Sequence, residues 1–287
     1  MASVSSRVSP AHLSDARASL RACRLCPRAC GTDRTISKNG AFCRLDVRAT
    51  VYRELLSLGE EPAISPTWLV DLGGCSLRCL FCSEWQHVVQ PEAAPAQVLD
   101  QTWFLPRLQQ RRRQGARTLS FVGGDPTPSL VAVLEVLATV PDADWLPVVW
   151  NCNGWLSDTA RALLAPVVDT WLVDVKFGNP QCAQRLAGVD GALDALEVTR
   201  TLEFARSRGL RLRHLALPGH LDCCTRPVLE RLARDYPEVP LNVMPHYLPL
   251  GPARTHRLPH APELQRLLSA AEQVSLVSWQ AQWTHAK

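Results

Sequence analysis

A chain of 287 residues, 46% hydrophobic and 20% charged, has ordinary globular composition and suits one large domain with an appendage, with no need of a metal to fold. A net charge of +4 and one basic run, Arg111, Arg112 and Arg113, exclude the strong positive field of a nucleic-acid binder, and the run reads as a solvated helix face. No stretch approaches the roughly 18 consecutive apolar residues of a membrane span, and residues 1–20 carry no apolar core segment, so a cytoplasmic protein without a membrane partner is expected.

In a reducing compartment, closely spaced thiols are more often metal ligands or catalytic groups than disulfide partners. Seven of the eleven cysteines fall in two tight groups before residue 83. The first group, Cys23, Cys26, Cys30 and Cys43, lies in a Gly/Pro/Arg-rich stretch without helical or strand periodicity. Residues 1–64 are therefore expected to form a small metal-organised extension. Its spacing, C-x2-C-x3-C-x12-C, closes a coordination sphere with four thiolates and suits either a structural zinc or an auxiliary 4Fe-4S cluster.

From Trp68 onward, short apolar strands alternate with helical patterns. Strands are expected at Trp68–Leu72, Thr118–Val122, Pro147–Trp150, Trp171–Val175, Leu210–Leu217 and Pro240–Met244. Helical stripes of apolar residues follow at Leu130, Val133, Leu134 and Leu137, opened by Ser129 or Thr127, and at Leu264, Leu267, Leu268 and Ala271 after Pro262. Six strands joined through helices imply parallel pairing by right-handed crossovers, hence an open or partly closed α/β barrel over residues 65–287. Chemistry in such barrels gathers at the C-terminal strand ends.

The segment from Gly74 to Cys82 directly follows the first of these strands and spaces Cys75, Cys79 and Cys82 as C-x3-C-x2-C. Three thiolates leave one iron of a 4Fe-4S cluster open, whereas structural zinc takes four ligands and His87 is a candidate fourth. Spacing alone leaves both readings standing.

Phe81 precedes the last cysteine of this triad, and with that aromatic the chain resembles the radical S-adenosylmethionine (radical SAM) superfamily, whose fold is a partial (β/α)6 barrel. More narrowly, from about Cys23 to Tyr247, it is similar to uncharacterised proteins related to the pyruvate formate-lyase activating enzymes. The stretch Cys26-Pro27-Arg28-Ala29-Cys30-Gly31 matches theirs. The resemblance implies a 4Fe-4S cluster on Cys75, Cys79 and Cys82, SAM bound to it, and Phe81 beside the adenine.

Gly123-Gly124-Asp125 resembles the family's GGE motif, whose backbone edge receives the SAM amino group, with a shorter Asp in the Glu position. Trp150-Asn151-Cys152-Asn153-Gly154 is similar to the (T/S)NG motif. That assigns Asn153 to the cofactor and leaves Cys152 as a small packing residue or a catalytic thiol. Asp174 and Lys176 share one face at a strand end, where charges need a partner. The resemblance gives both to SAM, and the alternative is an ion-pair network at the rim. Arg213-His214 leads into Pro218-Gly219 as in the family's R-x4-PG turn, with His214 either a core histidine or a ligand, and His246 lies near a family histidine that touches SAM. Cys182, Cys223 and Cys224 match no ligand pattern and read as packing residues or incidental thiols.

The activity implied is reductive cleavage of SAM to a 5′-deoxyadenosyl radical that abstracts hydrogen. An electron donor such as flavodoxin or ferredoxin and a protein substrate activated by glycyl radical formation are the expected partners. One rival is a radical SAM enzyme acting on a small molecule or peptide. Another is a non-enzymatic electron-transfer or zinc protein, which has no use for motifs at four further strand ends.

Overall fold

The computed structural model describes residues 7–59, 61–189, 191–217 and 219–244; the expectations at Pro218, at His246 and at 264–271 lie outside them. Helix α1 (Pro10–Ala18) is opened by Pro10 and by Ser9, whose hydroxyl accepts from the His12 amide. Then follow β1 (Thr50–Ser57), β2 (Thr67–Leu72), α2 (Trp85–Val89), β3 (Gln97–Val98), α3 (Gln101–Arg113), β4 (Thr118–Gly123), α4 (Leu130–Leu137), β5 (Val148–Cys152), α5 (Asp158–Leu164), β6 (Val168–Asp174), α6 (Pro180–Ala187), α7 (Gly191–Arg206), β7 (Leu210–Leu215), α8 (Arg226–Asp235) and β8 (Leu241–Met244). The sheet order is β3-β1-β2-β4-β5-β6-β7-β8. β2 pairs parallel with β4 from Thr67↔Thr118 to Leu72↔Gly123, β4 with β5, and β7 with β8. The result is the expected α/β architecture with a mostly parallel, open sheet.

β1 corrects the sequence reading, which placed no strand before Trp68. It pairs antiparallel with β2 and β3 at the sheet edge. Its charges interrupt any period-2 apolar pattern, yet each has a partner: Arg53 binds Asp71 at 2.9 Å, and Glu54 accepts from the Trp68 indole and from Arg111, both at 2.7 Å. Arg112 pairs with Asp144 as well, so two of the three arginines in the basic run tie α3 to its neighbours.

The inner strands bury apolar side chains on both faces, as covered parallel sheets do. Trp68, Phe104, Phe121 and Trp150 form a continuous aromatic row with ring centroids 5.1, 6.3 and 6.1 Å apart. Each such pair contributes about 0.5–1.5 kcal/mol beyond area burial. This row packs α3 against the bodies of β2, β4 and β5. By compactness the chain divides in two: residues up to Ser76 with Gln86–Trp171, and Leu77–Trp85 with the residues from Leu172 onward.

Candidate active site

In the first compact unit, β2 runs out into Gly73-Gly74-Cys75 while β4 ends at Gly123-Gly124-Asp125. The two turns are in backbone contact. Gly124 N donates to Leu72 O at 2.8 Å and Asp125 N to Gly74 O at 3.0 Å. A Cβ on Gly124 would lie 2.2 Å from Gly74 O, and one on Gly123, at φ +110°, 2.3 Å from Leu72 N. Only glycine admits this approach. The Gly-Gly pair thus presses on the backbone that carries Cys75.

Asp125 is 2% exposed and fully committed: one carboxylate oxygen accepts from Thr127 N and the other from Asn153 N, both at 2.9 Å. Asn153, at the end of β5, in turn donates its side-chain amide to Ser76 Oγ at 3.0 Å, with Cys75 Sγ 3.8 Å away, and accepts from Trp155 N. The arrangement is a relay of buried polar groups from β4 through β5 to the cysteine loop. Cys152 is buried beside it at 2% exposure. His87 stacks face to face on Tyr52 at 3.9 Å, and its carbonyl accepts from Gly74 N.

The four-cysteine extension belongs to the same unit. Arg28 donates to Ser76 O at 3.0 Å and lies over the Phe42 and Trp155 rings. Arg34 is 2% exposed, and its guanidinium binds the carbonyls of Leu45, Asp46 and Pro128 at 2.7–2.9 Å and Cys23 Sγ at 3.6 Å. Burial pushes the Cys26 thiol up to about 12, with the neighbouring thiols adding to it, and raises Cys43 against the pull of Arg34. Cys30 is more open. Burial would raise it, but hydrogen bonds from Thr32 outweigh that and lower it.

In the second unit, Cys79 is buried and Cys82 half-buried. Burial raises the Cys82 thiol against the pull of the Glu84 amide and the Lys176 ammonium. Phe81 meets Phe177 edge to face at 6.1 Å. Asp174 accepts from Lys176 Nζ at 2.8 Å and from Arg213 Nε at 3.1 Å. Burial alone would raise the Asp174 carboxyl; the two cations outweigh it and hold it below the usual carboxylate range. Asp174 thus ties Lys176 and Arg213 together at the strand end. His214 is a core histidine: Nδ1 donates to Val175 O at 2.6 Å, Nε2 accepts from Thr225 Oγ1 at 3.0 Å, and burial brings it down to about 4.

The C-x3-C-x2-C loop offers three thiols, two of them buried. Buried thiols are costly to ionise unless a metal takes them. An amide donor near Cys75 Sγ and an ammonium near Cys82 both favour the ionised form. This donor set fits a cluster with one iron left open. The sequence profile of the radical SAM superfamily matches residues 69–232. The chain belongs to the radical SAM superfamily. Members are enzymes that bind a 4Fe-4S cluster and SAM.

The uncharacterised protein MJ0674 of Methanocaldococcus jannaschii is 31% identical over 263 residues, covering 88% of this chain and 75% of the relative. SuiB of Streptococcus suis, in complexes with S-adenosylmethionine and with the precursor peptide SuiA, superposes with a TM-score of 0.50 at 15% identity over 69% of this chain. That likeness shows the fold alone, since this chain spans 44% and 43% of the SuiB chain in the two complexes.

Three features escaped the sequence reading of this radical SAM chain. Arg34 stands in an arginine-rich stretch where nothing marks one guanidinium as buried. The Asp125–Asn153 bond joins residues 28 positions apart. Cys182, Cys223 and Cys224, expected as packing residues, converge with His220 instead. The signal for the last was the His220-x2-Cys223-Cys224 cluster, with Cys182 hidden by lying 41 positions before Cys223.

Proposed function

We propose that Cys75, Cys79 and Cys82 hold the 4Fe-4S cluster, and that the strand-end residues Gly123, Gly124, Asn153, Asp174 and Lys176, with Phe81 from the cysteine loop, position SAM beside it. When bound, the cluster supplies the electron that cleaves SAM into methionine and a 5′-deoxyadenosyl radical, and that radical abstracts hydrogen from a substrate. The observation that carries this reading is the relay from Asp125 through Asn153 to Ser76 and Cys75. Asp125 serves as a positioning residue: its carboxylate fixes Asn153, and Asn153 sets the sulfur of Cys75. Lys176, bonded to Asp174 at 2.8 Å, stands at the strand end where the family resemblance places the SAM carboxylate or ribose. A glycine Cα in a partner protein is the substrate favoured by the likeness to pyruvate formate-lyase activating enzymes.

Cys23, Cys26, Cys30 and Cys43, on the 1–64 extension, hold a second metal centre. Arg34 supports this assignment. Four neutral thiols would leave a buried guanidinium without an anion, whereas a metal centre held by four thiolates carries net negative charge. The test is anaerobic reconstitution of the full chain and of the Cys75/Cys79/Cys82→Ala variant. The parent gains a 4Fe-4S signal that changes on adding SAM. The variant loses that signal, while its Cys23, Cys26, Cys30 and Cys43 group retains either about one zinc or about four iron. A SAM-responsive cluster in the variant would remove the triad from the site.

A further inference from the structure

A third group of metal-ligand side chains lies away from both cysteine motifs, in the second compact unit. Cys182 sits in the first turn of α6, and His220, Cys223 and Cys224 lie on and just before a π-helical turn, Leu221–Thr225, that leads into α8. The Cys182 sulfur is 3.6 Å from His220 Nδ1 and 3.6 Å from the Cys223 sulfur, and Nδ1 is 3.3 Å from the Cys223 sulfur. All four ligand atoms, including the Cys224 sulfur, lie within 4.8 Å of one another. Metal–sulfur bonds of about 2.3 Å and metal–nitrogen bonds of about 2.0 Å in a tetrahedron separate two thiolates by roughly 3.8 Å and a thiolate from an imidazole by roughly 3.6 Å. These side chains already stand at nearly those edges. They are too close together to surround a four-iron cluster.

The donors around the group converge on Cys182. Asn179 caps α6 by accepting from Cys182 N at 2.8 Å, and its side-chain amide donates to the Cys182 sulfur at 3.3 Å, to Cys223 O at 2.5 Å and to the Cys224 sulfur at 3.8 Å. One residue therefore orients both sides of the group, as outer-sphere partners of metal ligands do. Arg185 adds a guanidinium 3.9 Å from the Cys182 sulfur, and the helix N-terminus adds its own positive dipole end. Gly178 lets the π turn approach, since a Cβ there would lie 2.3 Å from Cys224 O. Single π turns recur at functional sites.

We propose that Cys182, His220, Cys223 and Cys224 bind a mononuclear divalent metal of the zinc class. Binding displaces three thiol protons to solvent and uses the Nδ1 lone pair of neutral His220. All four positions are filled by protein, so the site is structural. It clamps the start of α6 to the turn before α8. The other end of α6 supports the catalytic loop, whose Arg78 N and Leu80 N donate to Ala187 O at 3.2 Å and Leu186 O at 2.8 Å.

The test uses the full chain, expressed with zinc and analysed for metals beside the Cys182→Ser/Cys223→Ser variant. The variant should contain about one zinc per chain less than the parent, with its iron unchanged. Equal zinc in the two proteins overturns the proposal. If the variant fails to fold, alkylation of the unmutated protein decides. Cys182, Cys223 and Cys224 should resist iodoacetamide until a chelator is added. Equal labelling with and without chelator, or a Cys182–Cys223 disulfide in the isolated protein, overturns it.

Discussion

The surroundings of Cys75 and the rim around Asp174 are built from different polar materials. Around Cys75 the polar groups are amides, a hydroxyl and one carboxylate that accepts from two backbone amides. Around Asp174 the groups are charged, with Lys176 and Arg213 sharing a single carboxylate. The first arrangement fixes positions through directed hydrogen bonds between buried groups. The second holds its members by charge, which a substitution of either sign disturbs.

Removing Asp125 should give the largest effect. Asp125→Ala leaves the buried amides of Thr127 and Asn153 without acceptors, each costing about 1–3 kcal/mol. Denaturant unfolding should show a loss of several kcal/mol, with Asp125→Asn milder; a loss below about 1 kcal/mol would break the contrast.

At the rim, His214 holds Val175 O, between Asp174 and Lys176. Burial keeps it down at about 4 against an ordinary 6.5, so between those values the unfolded chain binds a proton that the folded one refuses. Stability should therefore fall as pH drops from 6.5 to about 4, on the order of 3 kcal/mol. His214→Gln should flatten that slope. A slope as steep in the variant would assign the acid sensitivity elsewhere.

Lys176→Met should weaken SAM binding by the worth of a charged hydrogen bond, roughly 1.5–3 kcal/mol or about tenfold to over a hundredfold, with the cluster intact. Lower melting temperature with unchanged SAM affinity would make the rim a purely structural ion pair. The smallest effect belongs to Asn153→Ala. The cluster should form, and its reduction potential should fall by an amount on the order of tens of millivolts as the amide near Cys75 Sγ is lost. An unchanged potential would reduce Asn153 to a packing residue.

The parallel strands were legible because both their faces are buried, which leaves continuous apolar runs such as Trp171–Val173. β1 was not, because its Arg53 and Glu54 are spent on cross-strand and helix partners that a one-dimensional pattern cannot reveal. Cys75, Cys79 and Cys82 stood out because their ligand spacing is local. The Asp125–Asn153 bond and the Cys182 group depend on strand order and helix placement, and their residues carry no mark of one another. The charges of Asp174 and Lys176 were visible, but not that Arg213, on the adjacent strand, would bond the same carboxylate.

The central claim is that this chain cleaves SAM at a cluster held by the C-x3-C-x2-C loop. Incubating the anaerobically reconstituted full chain with SAM and dithionite, and quantifying 5′-deoxyadenosine, tests it directly. The parent should produce 5′-deoxyadenosine and the Cys75→Ala, Cys79→Ala and Cys82→Ala variants none. Absence of 5′-deoxyadenosine from a parent carrying a full 4Fe-4S complement, or equal production by the variants, would contradict it.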